Sequence, residues 1–286
     1  MELSLLTLFL QQYLPLTNVT HGSQPALLLA EIGPLHGILM VLLVFGLMQL
    51  LQYGVKKYRQ RPFVLELRRQ QPLYYLSLPQ HLKHDFENRV ANFLLQKQFI
   101  PRGSGFEITL DMKVPIAASA VQLTFGLAPV YFSHFKRILV YPDRYYSTIF
   151  KRFHCGEVSM RGIIVLSWRD FAAGYSNSSD GFNLGLHEMA HALHLENAIR
   201  NEEYSFLDRQ HLQHWHQVAS QEMQKVQQQT NGFLRLQAGT DEHEFFAVCV
   251  ESFFERPHPF QLAHPRLYQA LSQLLQQDPA RKTFRL

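Results

Sequence analysis

Apolar residues are distributed along this chain in three ways, and each predicts a different kind of element. Over 37–55 they run almost unbroken: nineteen residues with no formal charge, and only Gln49 and Gln52 as strong polars. At about 1.5 Å per residue that run just spans a hydrocarbon core of about 30 Å, so it predicts a transmembrane helix over 35–55. Elsewhere the apolar positions recur at helical intervals. Leu82, Phe86, Val90, Phe93 and Leu94 mark a helix over 79–96, and Leu212, Trp215, Ala219, Met223 and Val226 another over 211–229. The third pattern is β-like. Segments 137–141 (RILVY) and 161–168 (RGIIVLSW) are rich in branched residues, and 106–112 alternates well enough for a strand. The small apolar run 114–126 suits a buried helix or a strand equally. Together these elements predict an α+β domain behind one N-terminal membrane helix.

Charge orients that helix. Lys56, Lys57, Arg59 and Arg61 follow it directly, whereas Glu2 and Glu31 are the only charged side chains ahead. The positive-inside rule then places residues from Lys56 onward in the cytoplasm, and 1–34 form an extracytoplasmic segment. The expected location is the inner membrane, single-pass, with the lipid bilayer as one partner. A signal peptide would carry its positive charges before the apolar run, not after it. The ordinary alternative is a core helix of a soluble domain. Segment 3–10 is apolar but too short to span alone. Residues 56–78, charged, Gln-rich and punctuated by Pro62 and Pro72, read as a juxtamembrane connector to a domain over 79–286.

Composition narrows the classes. With 286 residues and 47% hydrophobic content the chain can bury a sizeable core. A net charge of +4, without an arginine–aromatic stripe, gives no case for direct nucleic-acid binding. Cys155 and Cys249 read as ordinary thiols in a reducing compartment.

The chemistry concentrates in His187-Glu188-Met189-Ala190-His191. A helical turn advances 3.6 residues, so His187 and His191 share a face and can grip one ion. Glu188 beside them could take a proton from water polarised by that ion, the H-E-x-x-H arrangement of zinc peptidases. Leu184, Leu186, Met189, Ala190, Ala192, Leu193 and Leu195 make 183–196 an apolar helix, unlike a merely histidine-rich surface helix. His194 reads as a neighbour of the site, and His211, His214 and His216 as a solvated helix face. Catalytic zinc takes three protein ligands and an open position, so another segment must contribute. The helix starting near Thr240 or Asp241 offers Glu244, Glu251 and His243, with Glu244 ahead. Glu251 lies seven residues on, and a salt bridge to Arg235 or Arg256 is the ordinary use of such a carboxylate.

Two long blocks, VLSWRDFAAGYSNSSDGFNLGLHEMAHALHLEN and DEHEFFAVCVESFFERP, with the closing HPRLYQALSQLLQQDP, resemble the Mlc titration factor A family of zinc peptidases. That family is distantly similar to the catalytic domain of anthrax lethal factor, and the resemblance covers about 79–279. It implies a zincin-like fold and a cytoplasmic aminopeptidase-like activity. It also implies Zn2+ held by His187, His191 and Glu244, Glu188 as general base, and Glu251 as a support. Peptide or protein substrates follow, with a cytoplasmic transcriptional regulator, the glucose repressor Mlc, as the partner known in enteric bacteria. The family usually carries a tyrosine seven residues before the metal glutamate. Here that position holds Gln237, which leaves Tyr175 or Tyr204 as substitutes. By the same analogy, strand 161–168 is expected to be the edge that receives peptide, with an ordinary interior strand as the alternative. The competing expectation is a membrane-tethered regulator-binding protein that keeps the zinc site with weak catalysis.

Overall fold

A computed structural model describes residues 34–147, 151–199, 206–228 and 232–284. The apolar stretches at 3–10 and 26–30, and Tyr204, lie outside them. The chain divides into two compact units, 1–56 and 57–286. In the first, helix α1 (Pro34–Gln70) begins, and its residues 38–55 are exposed throughout. This helix is long and apolar enough to cross a membrane.

The second unit opens with the rest of α1, so residues read as a connector are helical as far as Gln70. Pro62 lies inside the helix without ending it. The segment is held by tertiary contacts instead. Leu67 is fully buried, Gln60 donates to Asn92 (3.0 Å), and Lys57 donates to Asn88 (2.9 Å). Both partners lie on α3 (Gln80–Gln96), which follows the short α2 (Leu73–Ser77). The buried carboxylate of Glu87 accepts two hydrogen bonds from Arg68 (2.7 and 2.8 Å) and one from the Tyr75 hydroxyl (2.7 Å).

Strand β1 (Gln98–Pro101) comes next; it has only four residues and left no pattern to read. The strand expected over 106–112 does not form. Phe106 and Ile108 pack against the core from a loop, and helix α4 (Leu110–Thr124) already starts within that segment. Alternation buried those side chains, but no neighbouring strand offers them a ladder. The run 114–126 resolves as helix as far as Thr124, with a turn at 125–126. Pro115 removes one backbone donor there, and the carbonyl of Asp111, four residues earlier, accepts instead from the Gln70 amide (3.0 Å).

A four-stranded sheet carries the order β1-β2-β6-β5, with β2 (Arg137–Tyr141), β5 (Gly156–Ser159) and β6 (Ile163–Ser167). The first three strands are parallel, with Gln98 against Arg137 and Arg137 against Ile163. Strand β5 runs antiparallel to β6, Gly156 facing Leu166. Segment 161–168 is therefore an interior strand, flanked on both sides, and not the edge expected by analogy. The edge is β5. A small hairpin, β3 (Tyr145–Ser147) and β4 (Arg152–His154), precedes it. Helices α5 (Trp168–Ser176), α6 (Leu184–Ile199), α7 (Arg209–Gln228), α8 (Glu242–Glu255), α9 (Pro257–Ala263) and α10 (Pro265–Leu275) complete the domain. A two-residue ribbon, β7 (Gln277–Asp278) with β8 (Thr283–Phe284), closes it. Met189, Ala190 and Leu193 of α6, Trp215 of α7 and Phe245, Val248 and Phe253 of α8 share one core with α3 and α4.

Replacing Glu87 by alanine removes hydrogen bonds to a charged partner and is expected to cost about 2 kcal/mol in urea unfolding. Burial pushes that carboxyl up, but the Arg68 and Tyr75 hydrogen bonds outweigh it and hold it below the usual glutamate value. Its contribution is thus fully present above the unfolded value of about 4.3. It fades as pH falls through the lower folded value, so the gap between wild type and Glu87→Ala should close in acid.

Candidate metal centre

The approach to α6 is built from side chains that satisfy backbone donors. Asp180 accepts from the Phe182 N–H (2.9 Å), and Asn183 Oδ1 caps the helix by accepting from the Leu186 N–H (3.0 Å). Between them Gly181 takes φ +77°, and a Cβ there would run into the Arg256 guanidinium, so only glycine fits. Two glutamates of α8 hold this corner from the far side. Glu255 accepts from the Gly181 N–H and the Asn183 amide (both 2.9 Å), and Glu251 accepts from the Asn183 N–H (2.6 Å). Burial pushes the Glu255 carboxyl up to about 7.

Helix α8 is started by Asp241, whose carboxylate accepts from the His243 and Glu244 N–H groups (2.8 and 2.9 Å). That cap puts Glu244 in the first turn, facing α6. Its Oε2 lies 3.4 Å from His187 Nε2, and its Oε1 lies 3.3 Å from His191 Nε2. The two Nε2 atoms are 3.1 Å apart. A tetrahedral zinc with bonds of about 2.05 Å has ligand–ligand edges of about 3.3 Å, so the imidazole pair is spaced as such an ion requires, and the Glu244 carboxylate, one oxygen toward each ring, lies within reach of the same ion. Among the described residues this is the one group of histidine and acidic donors gathered tightly enough for a metal. Hydrogen bonding orients them. The His187 Nδ1–H donates to Glu251 Oε1 (2.7 Å), which turns Nε2 toward the other two donors. Arg235 donates to the same carboxylate, so Glu251 supports the site and forms the salt bridge at once. Burial lowers the His187 imidazolium, but hydrogen bonds to Glu244 and Glu251 outweigh it and raise its pKa to about 10. Burial likewise opposes the Glu244 carboxylate, and its bonds to His187 and His191 hold it well below the usual range.

Glu188 occupies the inner side of the same turn. Burial pushes its carboxyl up to about 7, against the pull of His187 and His191. Its Oε2 is buried with no hydrogen-bond partner among the described residues, which fits a group meant to meet a water or substrate. The carboxylate lies against the backbone of β5 at Gly156, where any Cβ would overlap it. Sequence reasoning missed Gly156, because the approach joins segments thirty residues apart and leaves no local pattern. Nearby, the Tyr145 hydroxyl donates to Glu157 Oε2 (3.2 Å) of the same strand.

The comparisons with known proteins agree with this geometry. The family model described as the glucose-regulated metallo-peptidase M90 matches residues 52–276. The chain belongs to the M90 metallopeptidase family. An uncharacterized protein of Synechocystis sp. is 30% identical over 214 residues, covering 69% of this chain and 78% of its own. Mlc titration factor A of Escherichia coli O139:H28 is 29% identical over 210 residues, covering 68% and 78%. The same-named protein of Escherichia coli O7:K1 is 29% identical over 207 residues, covering 66% and 77%.

Other residues singled out in the sequence have the following places in this M90 domain. Gln237 lies in a single 3-10 turn, Leu236–Gly239, ahead of α8. Tyr175 stacks on Phe171 (5.6 Å between rings), and its buried hydroxyl has no hydrogen-bond partner among the described residues. His243 turns away from the donor group and meets His194 edge-on, 4.4 Å between ring centroids. His211 lies 3.6 Å from Asp208 Oδ1 on the solvated side of α7. His216 departs from that solvated reading, since its Nδ1 contacts Glu242.

Glu251→Gln leaves the three donors in place but weakens the acceptor that orients His187. Zinc affinity, measured by competition with a coloured chelator, should fall about 10–100-fold while the protein stays folded.

Proposed function

We propose that this chain is a membrane-anchored, zinc-dependent peptidase of aminopeptidase-like specificity. The observation that carries the reading is the spacing of His187 Nε2, His191 Nε2 and Glu244 at 3.1–3.4 Å beside the buried, unpartnered Oε2 of Glu188. When bound, the zinc supplies Lewis acidity, lowering the pKa of a water in its open position and polarising the scissile carbonyl.

The protein groups act around that chemistry. His187, His191 and Glu244 hold the ion, and Glu251 and Arg235 fix the His187 ring. Glu188 takes the proton of the attacking water and delivers it to the departing amine. A carboxyl raised to about 7 suits this exchange, because both protonation states are accessible near neutral pH. The outer edge of β5 next to Glu188 supports extended binding of the substrate backbone by strand addition. Strand β5 takes over the role assigned by analogy to 161–168.

The anchor belongs to the same proposal. The exposed apolar part of α1 spans the inner membrane once, and Lys56, Lys57, Arg59 and Arg61 keep the peptidase domain in the cytoplasm. Gln237 in place of the family tyrosine favours a second reading. In it the domain binds a cytoplasmic regulator, as the name Mlc titration factor suggests for its relatives, and catalyses weakly.

Full-length protein in detergent, assayed on short peptides and aminoacyl amides, should lose activity with a zinc chelator and regain it with zinc. Glu188→Gln should retain zinc and lose at least about 100-fold in kcat/KM. Full activity in that variant rejects the catalytic reading, and zinc retention without turnover by wild type selects the regulator-binding one. Because the base must be ionised, kcat/KM should fall on the acid side, at a pH below that of the metal-free carboxyl because the bound ion favours the carboxylate, and that limb should vanish in Glu188→Gln.

Topology is checked by adding protease to intact cells carrying a C-terminal tag. The tag is expected to survive, and its digestion from outside rejects a cytoplasmic domain.

A further inference from the structure

Three consecutive residues lead into α6, and each is held by a group on α8 or just ahead of it. The Gly181 N–H donates to Glu255 (2.9 Å), and the Asn183 N–H donates to Glu251 (2.6 Å). Between them the Phe182 ring carries the guanidinium of Arg235, whose central carbon lies 3.9 Å from the ring centroid. The Phe182 backbone is fixed as well, since its N–H donates to Asp180 (2.9 Å). Arg235 stands just before the 3-10 turn that leads into α8. This one stack therefore joins the approach to His187 with the approach to Glu244.

An exposed phenylalanine by itself needs no explanation, and Phe182 is 53% exposed. Its partner is what matters. The Arg235 guanidinium donates to Glu251 Oε1, the same oxygen that accepts from His187 Nδ1, while Oε2 accepts from the Asn183 N–H. A carboxylate oxygen offers its lone pairs in the carboxylate plane, so the place of the guanidinium decides which direction is left for the imidazole. That single hydrogen bond would let the guanidinium turn about it, and Arg235 Nε is buried with no hydrogen-bond partner among the described residues. The ring is the second constraint. A guanidinium is weakly hydrated and is attracted to the face of an aromatic ring at this distance, so carboxylate and ring together define its position.

We infer that Phe182 is a positioning residue of the metal centre: through Arg235 and Glu251 it sets the orientation of His187, and with it the affinity for the ion. The path consists of three direct contacts, ring to guanidinium, guanidinium to Glu251 Oε1, and Oε1 to imidazole. The inference rests on the reading of His187, His191 and Glu244 as metal donors and deepens it. Phe182 itself touches neither ion nor substrate. Apolar bulk alone cannot replace it, because an aliphatic side chain has no face of negative charge to offer a cation. Since the ring is largely exposed and lies outside the hydrophobic core, shortening it opens no cavity there.

The test is the zinc affinity of the full-length protein in detergent, read by competition with a coloured chelator, with the Tm of the zinc-free protein as a check on the fold. Phe182→Leu should bind zinc about 3–10-fold more weakly with little change in that Tm. Phe182→Tyr keeps the ring and should bind as wild type does. Arg235→Gln should lose about tenfold or more, and adding Phe182→Leu to it should cost nothing further, because the two residues act as one unit. If Arg235→Gln does not fold, the comparison of leucine with tyrosine decides alone. Wild-type affinity in Phe182→Leu, an equal loss in Phe182→Tyr, or a loss that persists in the Arg235→Gln background overturns the inference. His187→Ala/His191→Ala tells its failure from that of the metal reading. Zinc that is lost in this double variant but held equally by wild type and Phe182→Leu brings down the inference alone. A wild type that takes no zinc, or takes it unchanged without the two histidines, brings down the metal reading and this inference with it.

Discussion

A single buried carboxylate, that of Glu251, binds the two halves of the metal centre to each other. It accepts from the Asn183 backbone at the start of α6, from the His187 ring one turn later, and from Arg235 ahead of α8. Glu251 itself sits two turns along α8 from Glu244. Any sliding of one helix past the other breaks bonds to a carboxylate that is almost wholly removed from water, where an unpaired charge costs several kcal/mol. Helix packing by Met189, Phe245 and Val248 supplies the bulk attraction, but apolar contacts are non-directional and tolerate small shifts. The carboxylate makes the register discrete.

The same arrangement concentrates negative charge. Glu188, Glu244 and Glu251 crowd two imidazoles and one guanidinium, and Glu188 answers by holding its proton up to neutral pH. A divalent ion among the donors reverses the sign of the local field and competes with the proton on His187 for one lone pair. Metal uptake and proton release are then two faces of one equilibrium. An ion held there would relieve this crowding of carboxylates.

How much of this could be read from residues alone depended on whether the interaction was local. The α6 donors were legible because a helical period places His187 and His191 together without tertiary information. Helix α8 was legible from Asp241 and the apolar run behind it, which left Glu244 and Glu251 on one side. Assigning the ligand took a resemblance, since spacing kept His243 and Glu251 open. Strand order was the least legible layer. Segment 161–168 has the composition of any buried strand, and nothing in it tells whether β5 will cover its flank. The alternation of Phe106, Ile108 and Leu110 looked like a strand because burial from a loop leaves the same signature. Residues 57–70 looked like a connector, because Pro62 and charge outweighed the distant partners on α3 that keep them helical. Gly156 had no signature at all.

One consequence follows from the capping of α8 by Asp241. Glu244 belongs to the opening turn of its helix, the part of any helix that frays most readily, and two backbone hydrogen bonds accepted by one side chain keep it wound. His191, by contrast, sits inside α6 with helical turns on either side, and His187 closes the first turn, which Asn183 and Glu251 hold. Unwinding a single turn would swing the carboxylate out and leave the imidazole pair behind. An ion held by these donors would leave most easily through that one hinged carboxylate, and the strength of a helix end would set its residence time more than the global stability of the domain.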